Sequence, residues 1–352
     1  MEFKTRNVKT CTIFSLKEYI DVIANLKEEF KIIFNNDYGF DTIDKTIEFD
    51  QKEIKSEEDF FERNRIYNDY NTYSKYIPTI GFDTNVNDEE FNQKIMFFYR
   101  GLYDESYDLK PSCVRGNNYR REKYYYDNIK VLCSNYFPYK SHLNDLVTMQ
   151  HYDAPTRLLD VTTNPLVALF FACKDFTDKN NSDKGKVYVF AEAYKNILFS
   201  DSDKAVILAC LAKFSLDEQQ QIYNACIKKI KSDGYFAKFD ASNNGKIIEK
   251  LYHEIRSEKN FDKLIYAKDI LNSFFVQPQK TNPRIQNQSG AFLLCGLAKY
   301  PNDYDTRIRE KILVEITVEN RDTILKELDT LNIQEAFLFP EIDKVAKYLK
   351  TQ

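Results

Sequence analysis

The stretch from Met149 to Phe176, MQHYDAPTRLLDVTTNPLVALFFACKDF, constrains the fold of this chain more than any other. It opens polar and ends apolar. Polar groups at this density are typical of a pocket lining, whereas the embedded LLDV and LVALFFA belong in a core. The stretch therefore predicts a polar site built on a buried framework. Eight polar residues fall within 14 positions, namely His151, Asp153, Thr156, Arg157, Asp160, Thr162, Thr163 and Asn164.

The local pattern predicts a loop, a short strand and a helix in that order. Pro155 favours an extended backbone just before it, and RLLDV follows as a strand that would place Thr156 and Asp160 on one face. Thr163-Asn164-Pro165 is typical of a helix start, and LVALFFACKDF is apolar on all sides, as in a buried helix. The N-terminus of that helix would point at the strand's end, a position that favours anions.

Single residues of this stretch also have simpler interpretations. Asp160 or Thr163 could only cap the helix, and Arg157 could pair locally with Asp153. His151 is a lone histidine, which is more often structural, although its side chain can titrate near neutral pH.

An apolar strand ends in Arg100 and Gly101, within FFYRG. A buried guanidinium is costly without a partner, and the partner is either an internal carboxylate or a bound phosphate or carboxylate, which the guanidinium fork fits. Gly101 would let a backbone or a ligand come close. Only 13 of the 50 basic residues are Arg, so Arg115 and Arg284 also stand out by their context.

A third segment, NPRIQNQSGAF, spans residues 282–292. The pattern predicts an extended stretch in which Gln286 and Gln288 share one face. Their amides could edge a sheet or bind sugar hydroxyls.

The rest of the chain predicts an α+β fold, with a mixed or antiparallel β core flanked by helices, because strands and helices alternate without a strict βαβ order. Residues 15–34 form an amphipathic helix that a Ser15–Glu18 capping box begins. The predicted division is a helical N-terminal extension (1–90), a main domain (91–300) with a helical insertion at about 203–270, and a C-terminal strand and helices (301–352) that complete the same fold. Short helices and loops are expected in 35–90. Residues 94–116 are expected to form a buried strand, then a Gly turn, then an irregular segment. Further strands are expected at 185–193, 272–278, 290–296 and 311–318.

Composition narrows the class of function. The net charge of −4 argues against non-specific nucleic-acid binding. Seven scattered Cys without a CxxC pair predict reduced thiols and a cytoplasmic protein. The three His have no metal-like spacing, so no metal is expected. We expect no membrane contact, since the chain has neither an 18-residue apolar run nor a signal-peptide core at its start.

Five motifs in order resemble the FRG domain family, which is named for a Phe/Tyr-Arg-Gly motif. The resemblance covers residues 95–300 and the closing helices, and it implies a bacterial or phage protein with a defence or toxin role. The motifs are FYRG (98–101), LKPSCVR (109–115), QHYDAPTRLLDVTTNPLVALFFA (150–172), RIQNQSGAF (284–292) and AFLFPEIDKVAKYL (336–349).

The motif order is also similar to the Arg, Ser-Thr-Ser and Glu layout of ADP-ribosyltransferases. That similarity implies NAD as substrate, with Arg100 holding its diphosphate or a nearby ribose and Gln288 in the place of the Glu. Because Gln is neutral, Asp160 would have to supply the negative charge. The candidate catalytic residues are Arg100, His151, Asp160 and Gln288. The candidate cofactor-binding residues are Arg100, Gly101, Thr156, Arg157, Thr162, Thr163, Asn164 and Gln286.

Three functions stay open from the sequence. The first is an NAD-dependent ADP-ribosyltransferase or NAD glycohydrolase, with a nucleotide ligand and a protein or nucleic-acid acceptor. The second is a nucleotide- or nucleic-acid-binding module without chemistry. The third is a metal-free phosphoesterase or nuclease that uses His151 as base and Arg157 as phosphate clamp. The sequence does not indicate an oligomeric state.

Overall fold

The structure is a computed structural model, and it describes residues 8–35, 95–116, 118–138, 140–174, 184–240 and 245–350. The short helices and loops predicted for residues 35–90 lie outside these ranges, apart from residue 35. The predicted division into domains stays a prediction.

Eight strands of the described chain form one mixed sheet in the order β1-β10-β4-β2-β3-β9-β8-β5. Two pairs, β1 with β10 and β5 with β8, are parallel, and the other pairs are antiparallel. Two further strands, β6 and β7, pair with each other. The strands are β1 (Lys9–Ile13), β2 (Ile95–Leu102), β3 (Leu158–Thr162), β4 (Gly185–Ala193), β5 (Leu198–Phe199), β6 (Lys238–Phe239), β7 (Ile265–Tyr266), β8 (Ser273–Gln277), β9 (Gly290–Cys295) and β10 (Ile312–Val318).

Thirteen α-helices surround the sheet in the described residues, so the α+β prediction is confirmed. They are α1 (Leu16–Asn35), α2 (Glu122–Leu132), α3 (His142–His151), α4 (Pro165–Cys173), α5 (Asp203–Cys210), α6 (Leu216–Asp233), α7 (Lys246–Arg256), α8 (Ala267–Leu271), α9 (Pro283–Asn287), α10 (Pro301–Arg309), α11 (Arg321–Thr330), α12 (Glu335–Leu338) and α13 (Ile342–Leu349).

The sheet splits between β2 and β3. Strand β2 pairs with β4 along its whole length, from Ile95 to Leu102, but it pairs with β3 only at Tyr99 and Thr162. Beyond that pair the two strands separate, which leaves backbone groups of β3 open towards β2. A split of this kind opens space inside the sheet for side chains or a ligand.

Helix α4 lies directly on β2 and β4 because both strands carry a glycine under it. A Cβ at Gly101 would fall on the carbonyl oxygen of Ala168, and one at Gly185 would fall on that of Ala172, both far inside van der Waals contact. The helix begins as predicted, since the Asn164 side chain accepts a hydrogen bond from the backbone N–H of Leu166 at 3.0 Å. Gly101 therefore makes room for a helix backbone.

Two of the three core clusters of the described residues pack helices against the strands on the two sides of the split. One joins α1, α4 and α11 to strands on the β2 side. The other joins α3 and helices α5 to α8 to strands on the β3 side. The predicted helical insertion is thus packed against the sheet rather than projecting from it.

Candidate functional site

A cavity of about 380 Å³ lies where β2 and β3 separate. Residues from both strands, from α3, α4, α9 and β9, and from the segment that follows β2 line it. Three of the lining residues are arginines and two are aspartates. The polar lining residues are Tyr99, Arg100, Tyr103, Tyr107, Arg115, Gln150, His151, Asp153, Asp160, Thr162, Arg284 and Gln288.

Arg100 reaches across the split from β2. Its Nη1 donates to the backbone carbonyl of Asp160 at 2.6 Å, while the Asp160 carboxylate is 4.0 Å away. The buried Nε has no hydrogen-bond partner among the described residues. Burial lowers the pKa of Arg100 to about 10, an effect that Asp160 opposes and Arg115 reinforces. The side chain is only 12% exposed, and it lines the cavity. Its charged guanidinium keeps N–H donors that are not used within the described chain.

The Asp160 carboxylate is positioned by a chain of hydrogen bonds. Gln150 of α3 donates through Nε2 to Asp160 Oδ2 at 2.9 Å. The Gln150 Oε1 in turn accepts from the hydroxyl of Thr156 at 2.5 Å. Thr156 is fully buried, whereas the Asp160 side chain is 60% exposed. These two hydrogen bonds therefore connect the accessible carboxylate of Asp160 to the buried side chain of Thr156 and fix its position.

The prediction of an extended stretch around Gln286 and Gln288 is wrong. Asn282 caps the short helix α9, its Oδ1 accepting from the backbone N–H of Ile285 at 2.8 Å. Gln288 lines the cavity just after this helix, and its Nε2 donates to the carbonyl of Leu338 at 3.0 Å. Gln286 instead donates to the carbonyl of Lys280 at 2.9 Å and does not line the cavity.

His151 lines the cavity at the end of α3. Its Nε2 is 3.6 Å from Glu341 Oε1, and Arg284 Nη1 approaches its carbonyl at 3.4 Å. Burial lowers the pKa of His151, and the charge of Arg284 lowers it further. The imidazole is therefore neutral at physiological pH and can accept or donate a hydrogen bond there.

Arg157 does not reach the cavity, contrary to its predicted role in ligand binding. It is 2% exposed and forms a two-pronged ion pair with Glu122, with Nε–Oε1 at 2.9 Å and Nη2–Oε2 at 2.6 Å. Its Nη1 donates to the carbonyl of Cys295 at 3.2 Å. The local pairing with Asp153 is wrong as well, because the partner comes from α2.

The threonines and Asn164 make hydrogen bonds with backbone groups around the site. The Thr162 hydroxyl donates to the carbonyl of Gln288 at 2.7 Å, and the Thr163 backbone N–H donates to that of Ser289 at 3.1 Å. Ser289 has a positive φ of 46°, so these contacts stabilise the turn between α9 and β9. Thr162 lines the cavity, whereas Thr156, Thr163 and Asn164 do not.

Sequence reasoning missed the role of Gln150 and of the Tyr103–Tyr107 pair. The two tyrosine hydroxyls are 2.8 Å apart, and the rings meet edge to face with centroids 5.2 Å apart. Arg115 and Arg284 stood out from the sequence by their context but were assigned no role. No local sequence pattern identifies Gln150, because its role depends on its hydrogen bond to Asp160, which forms only in the folded protein.

The family model of the FRG domain matches residues 96–181. The chain carries an FRG domain. This FRG domain supplies Arg100, Arg115, Gln150, His151 and Asp160 to the cavity, whereas Arg284 and Gln288 come from the chain beyond the matched residues. No curated protein and no solved structure matches the chain.

Within the described residues, none of the helices is both long and apolar enough to span a bilayer. All seven cysteines are free thiols, and five of them are buried.

Proposed function

We propose that the FRG domain binds an NAD-like nucleotide in the cavity and cleaves NAD, as an ADP-ribosyltransferase or NAD glycohydrolase. The single observation that carries this proposal is the convergence of Arg100, Asp160 and Gln288 in one cavity. These side chains come from three separate parts of the chain, and each offers chemistry that the nucleotide needs.

Arg100 is the proposed ligand of the diphosphate. A planar guanidinium binds phosphate oxygens in two-pronged fashion, and Arg100 has one hydrogen bond within the described chain, from Nη1. Its Nη2 makes no hydrogen bond within the described chain and is not one of the buried unpaired atoms. Nη2 is therefore the donor left for a phosphate oxygen.

Asp160 is the proposed catalytic carboxylate. When the bond between ribose C1′ and the nicotinamide nitrogen breaks, its electron pair leaves with nicotinamide and positive charge develops on the ribose. A carboxylate fixed in advance by Gln150 offsets that charge. Water or an acceptor nucleophile then bonds to C1′ and gives up a proton, which completes hydrolysis or ADP-ribosyl transfer.

Gln288 is the proposed contact of a ribose hydroxyl. Its Nε2 already donates to Leu338, so the amide oxygen is oriented away from that bond and is left to accept from the ligand. Being neutral, Gln288 adds hydrogen bonding but no charge.

The neutrality of Gln288 and the exposure of Asp160 favour a second candidate, a module that binds the nucleotide without cleaving it. The phosphoesterase alternative loses its phosphate clamp, because Arg157 is occupied by Glu122 in the core.

The test combines thermal stability with detection of free nicotinamide by mass spectrometry. We expect NAD to raise the melting temperature of the wild-type protein by mass action and to be cleaved. Arg100→Gln should abolish the rise, and Asp160→Asn should retain it but lower the cleavage rate by a factor of about 100 or more. Asp322→Asn, a surface carboxylate paired with Lys326 on α11, is the control.

Two outcomes contradict the proposal in different ways. Stabilisation by NAD without any product supports the binding module instead. If NAD neither stabilises the protein nor is cleaved, the binding and cleavage of NAD are rejected.

A further inference from the structure

Arg284 is one of the three arginines that line the cavity. It lines the wall formed by α9, whereas Arg100 comes from β2. No carboxylate of the described chain lies within 4.0 Å of its guanidinium, although Glu341 faces the neighbouring His151 at 3.6 Å.

The guanidinium of Arg284 is held in place without being satisfied. Its Cζ lies 4.8 Å from the ring centroid of Phe339, a buried residue that follows α12. Stacking on an aromatic face orients the fork but uses none of its N–H donors. The one hydrogen bond it makes within the described chain is a long one, to the carbonyl of His151 at 3.4 Å. Most of its five donors therefore remain for a ligand.

The wall that carries Arg284 is itself fixed. Asn287 donates to the carbonyl of Phe337 at 2.7 Å and Gln288 to that of Leu338 at 3.0 Å. These two bonds join α9 to α12, so the position of Phe339 relative to Arg284 is fixed. A surface arginine whose role is solubility needs no such support.

We propose that Arg284 forms a second anion subsite, so that the preferred ligand is a nucleotide with a phosphate group on its ribose in addition to the group bound by Arg100. This inference rests on the proposed function, because it names the substrate class of the same cavity. Arg284 supplies a preorganised fork to this second phosphate, and His151 beside it offers a neutral hydrogen-bonding group.

The experiment compares pairs of nucleotides that differ by one ribose phosphate. The probes are NAD against NADP, and 5′-AMP against adenosine 2′,5′- and 3′,5′-bisphosphate, with dissociation constants measured by calorimetry. In the wild-type protein we expect at least one probe with the additional ribose phosphate to bind about tenfold or more tightly than the probe without it. A charge-assisted hydrogen bond to Arg284 contributes a free energy of this size. Arg284→Gln should bring that ratio close to one while the affinity for the partner nucleotide stays the same.

Matched variants separate the subsite from stability. Arg284→Lys keeps the charge but loses the planar fork, so it should recover part of the ratio. Arg120→Gln removes another arginine that lies against an aromatic ring, with its Cζ 5.4 Å from the Tyr119 ring centroid. Arg120 does not line the cavity, so this variant should leave every affinity unchanged. Arg100→Gln should weaken both members of each pair. Melting curves without ligand verify that each variant folds.

The possible failures differ from one another. If no probe gains from the added phosphate, or if the gain persists in Arg284→Gln, the second subsite is rejected and nucleotide binding stands. If no nucleotide of either kind binds, the proposed function is rejected, and this inference with it.

Discussion

At the scale of single residues, Asp160 depends on a side chain from another element. Gln150 joins its carboxylate to the buried hydroxyl of Thr156 through 2.9 Å and 2.5 Å hydrogen bonds. The orientation of the Gln150 amide follows from these two partners, since a carboxylate can only accept and the hydroxyl has to donate. We infer that Gln150 is a positioning residue for the proposed chemistry.

Gln150→Leu is expected to lower kcat for NAD cleavage by a factor between about 10 and 100, with little change in KM, because the carboxylate loses its fixed position. The Thr156 hydroxyl would still accept from the Leu158 backbone N–H at 3.2 Å, but its O–H would be buried without an acceptor, at a cost of about 1–3 kcal/mol in the free energy of unfolding. Steady-state kinetics and urea unfolding measure the two effects.

The double variant Gln150→Leu/Thr156→Val distinguishes positioning from stability. It also leaves the buried Leu158 N–H, which donates to the Thr156 hydroxyl at 3.2 Å, without a partner, so the free energy of unfolding should fall below that of Gln150→Leu while kcat stays at the single-variant value. A further fall of kcat in parallel with the lost stability would show that Gln150 serves the fold alone.

The sequence predicted some residues of the cavity and not others, for a physical reason. Arg100 and Asp160 could be found because an Arg at a strand end and an Asp beside a helix start are locally out of place. Arg157 looked equally out of place, but its partner Glu122 lies 35 residues upstream. A sequence does not reveal whether an unusual arginine meets a carboxylate or a cavity, because that depends on which strands become neighbours.

At the scale of elements, the contact of α4 with the sheet depends on the glycine of the Tyr99-Arg100-Gly101 motif. Gly101→Ala would place a methyl group on the Ala168 carbonyl, and a helix backbone cannot move aside as a side chain does. We expect the free energy of unfolding to fall by about 3 kcal/mol or more, measured by urea denaturation.

Gly290→Ala is the matched control. Its Cβ would meet the Ile285 side chain at 3.3 Å, which can shift, so the loss should stay below about 1 kcal/mol. Equal losses in the two variants would mean that α4 does not require a glycine beneath it.

Most regular elements were readable from periodicity, whereas α9 was not. The strands β2, β3, β4, β8, β9 and β10 lie within a residue or two of their predicted positions. The Asn282-Pro283 pair that starts α9 is the same signal as Asn164-Pro165 before α4. It was outweighed by the apparent alternation of two glutamines, a pattern too short to establish a period.

At the scale of the whole molecule, the position of the cavity follows from the order of strands. Strand β2 has β4 and β3 as neighbours, and β1 pairs with β10 from near the other end of the described chain. Pairings between distant segments leave no local pattern in the sequence, so the split between β2 and β3 could not be predicted. The convergence of Arg100 and Asp160 was an expectation that only the sheet order could test.

The stability of the whole fold should depend on pH through His142, which lies in the helical layer. It is 7% exposed, its Nδ1 is 3.0 Å from the Tyr126 hydroxyl, and its Nε2 has no hydrogen bond within the described chain. Burial, with a smaller effect of Lys213, lowers the pKa of His142 from 6.5 to about 4. Asp145, Lys130 and Glu258 also face it.

The unfolded chain takes up a proton at His142 near pH 6.5, whereas the folded protein does so only near pH 4. The free energy of unfolding should therefore fall by about 3 kcal/mol as the pH is lowered from 6.5 to 4. Glu258 acts in the opposite direction, since burial raises its pKa and the folded protein then binds a proton more readily. The Tyr126 hydroxyl donates to Asp145 at 2.5 Å, so its oxygen accepts from residue 142. His142→Gln, whose amide can still donate to that oxygen, removes the first effect and leaves the second. Urea unfolding at pH 4 to 7 should therefore give a flatter or inverted pH profile for this variant, with the exposed His253→Gln as control, and parallel profiles for wild type and His142→Gln would contradict the assignment.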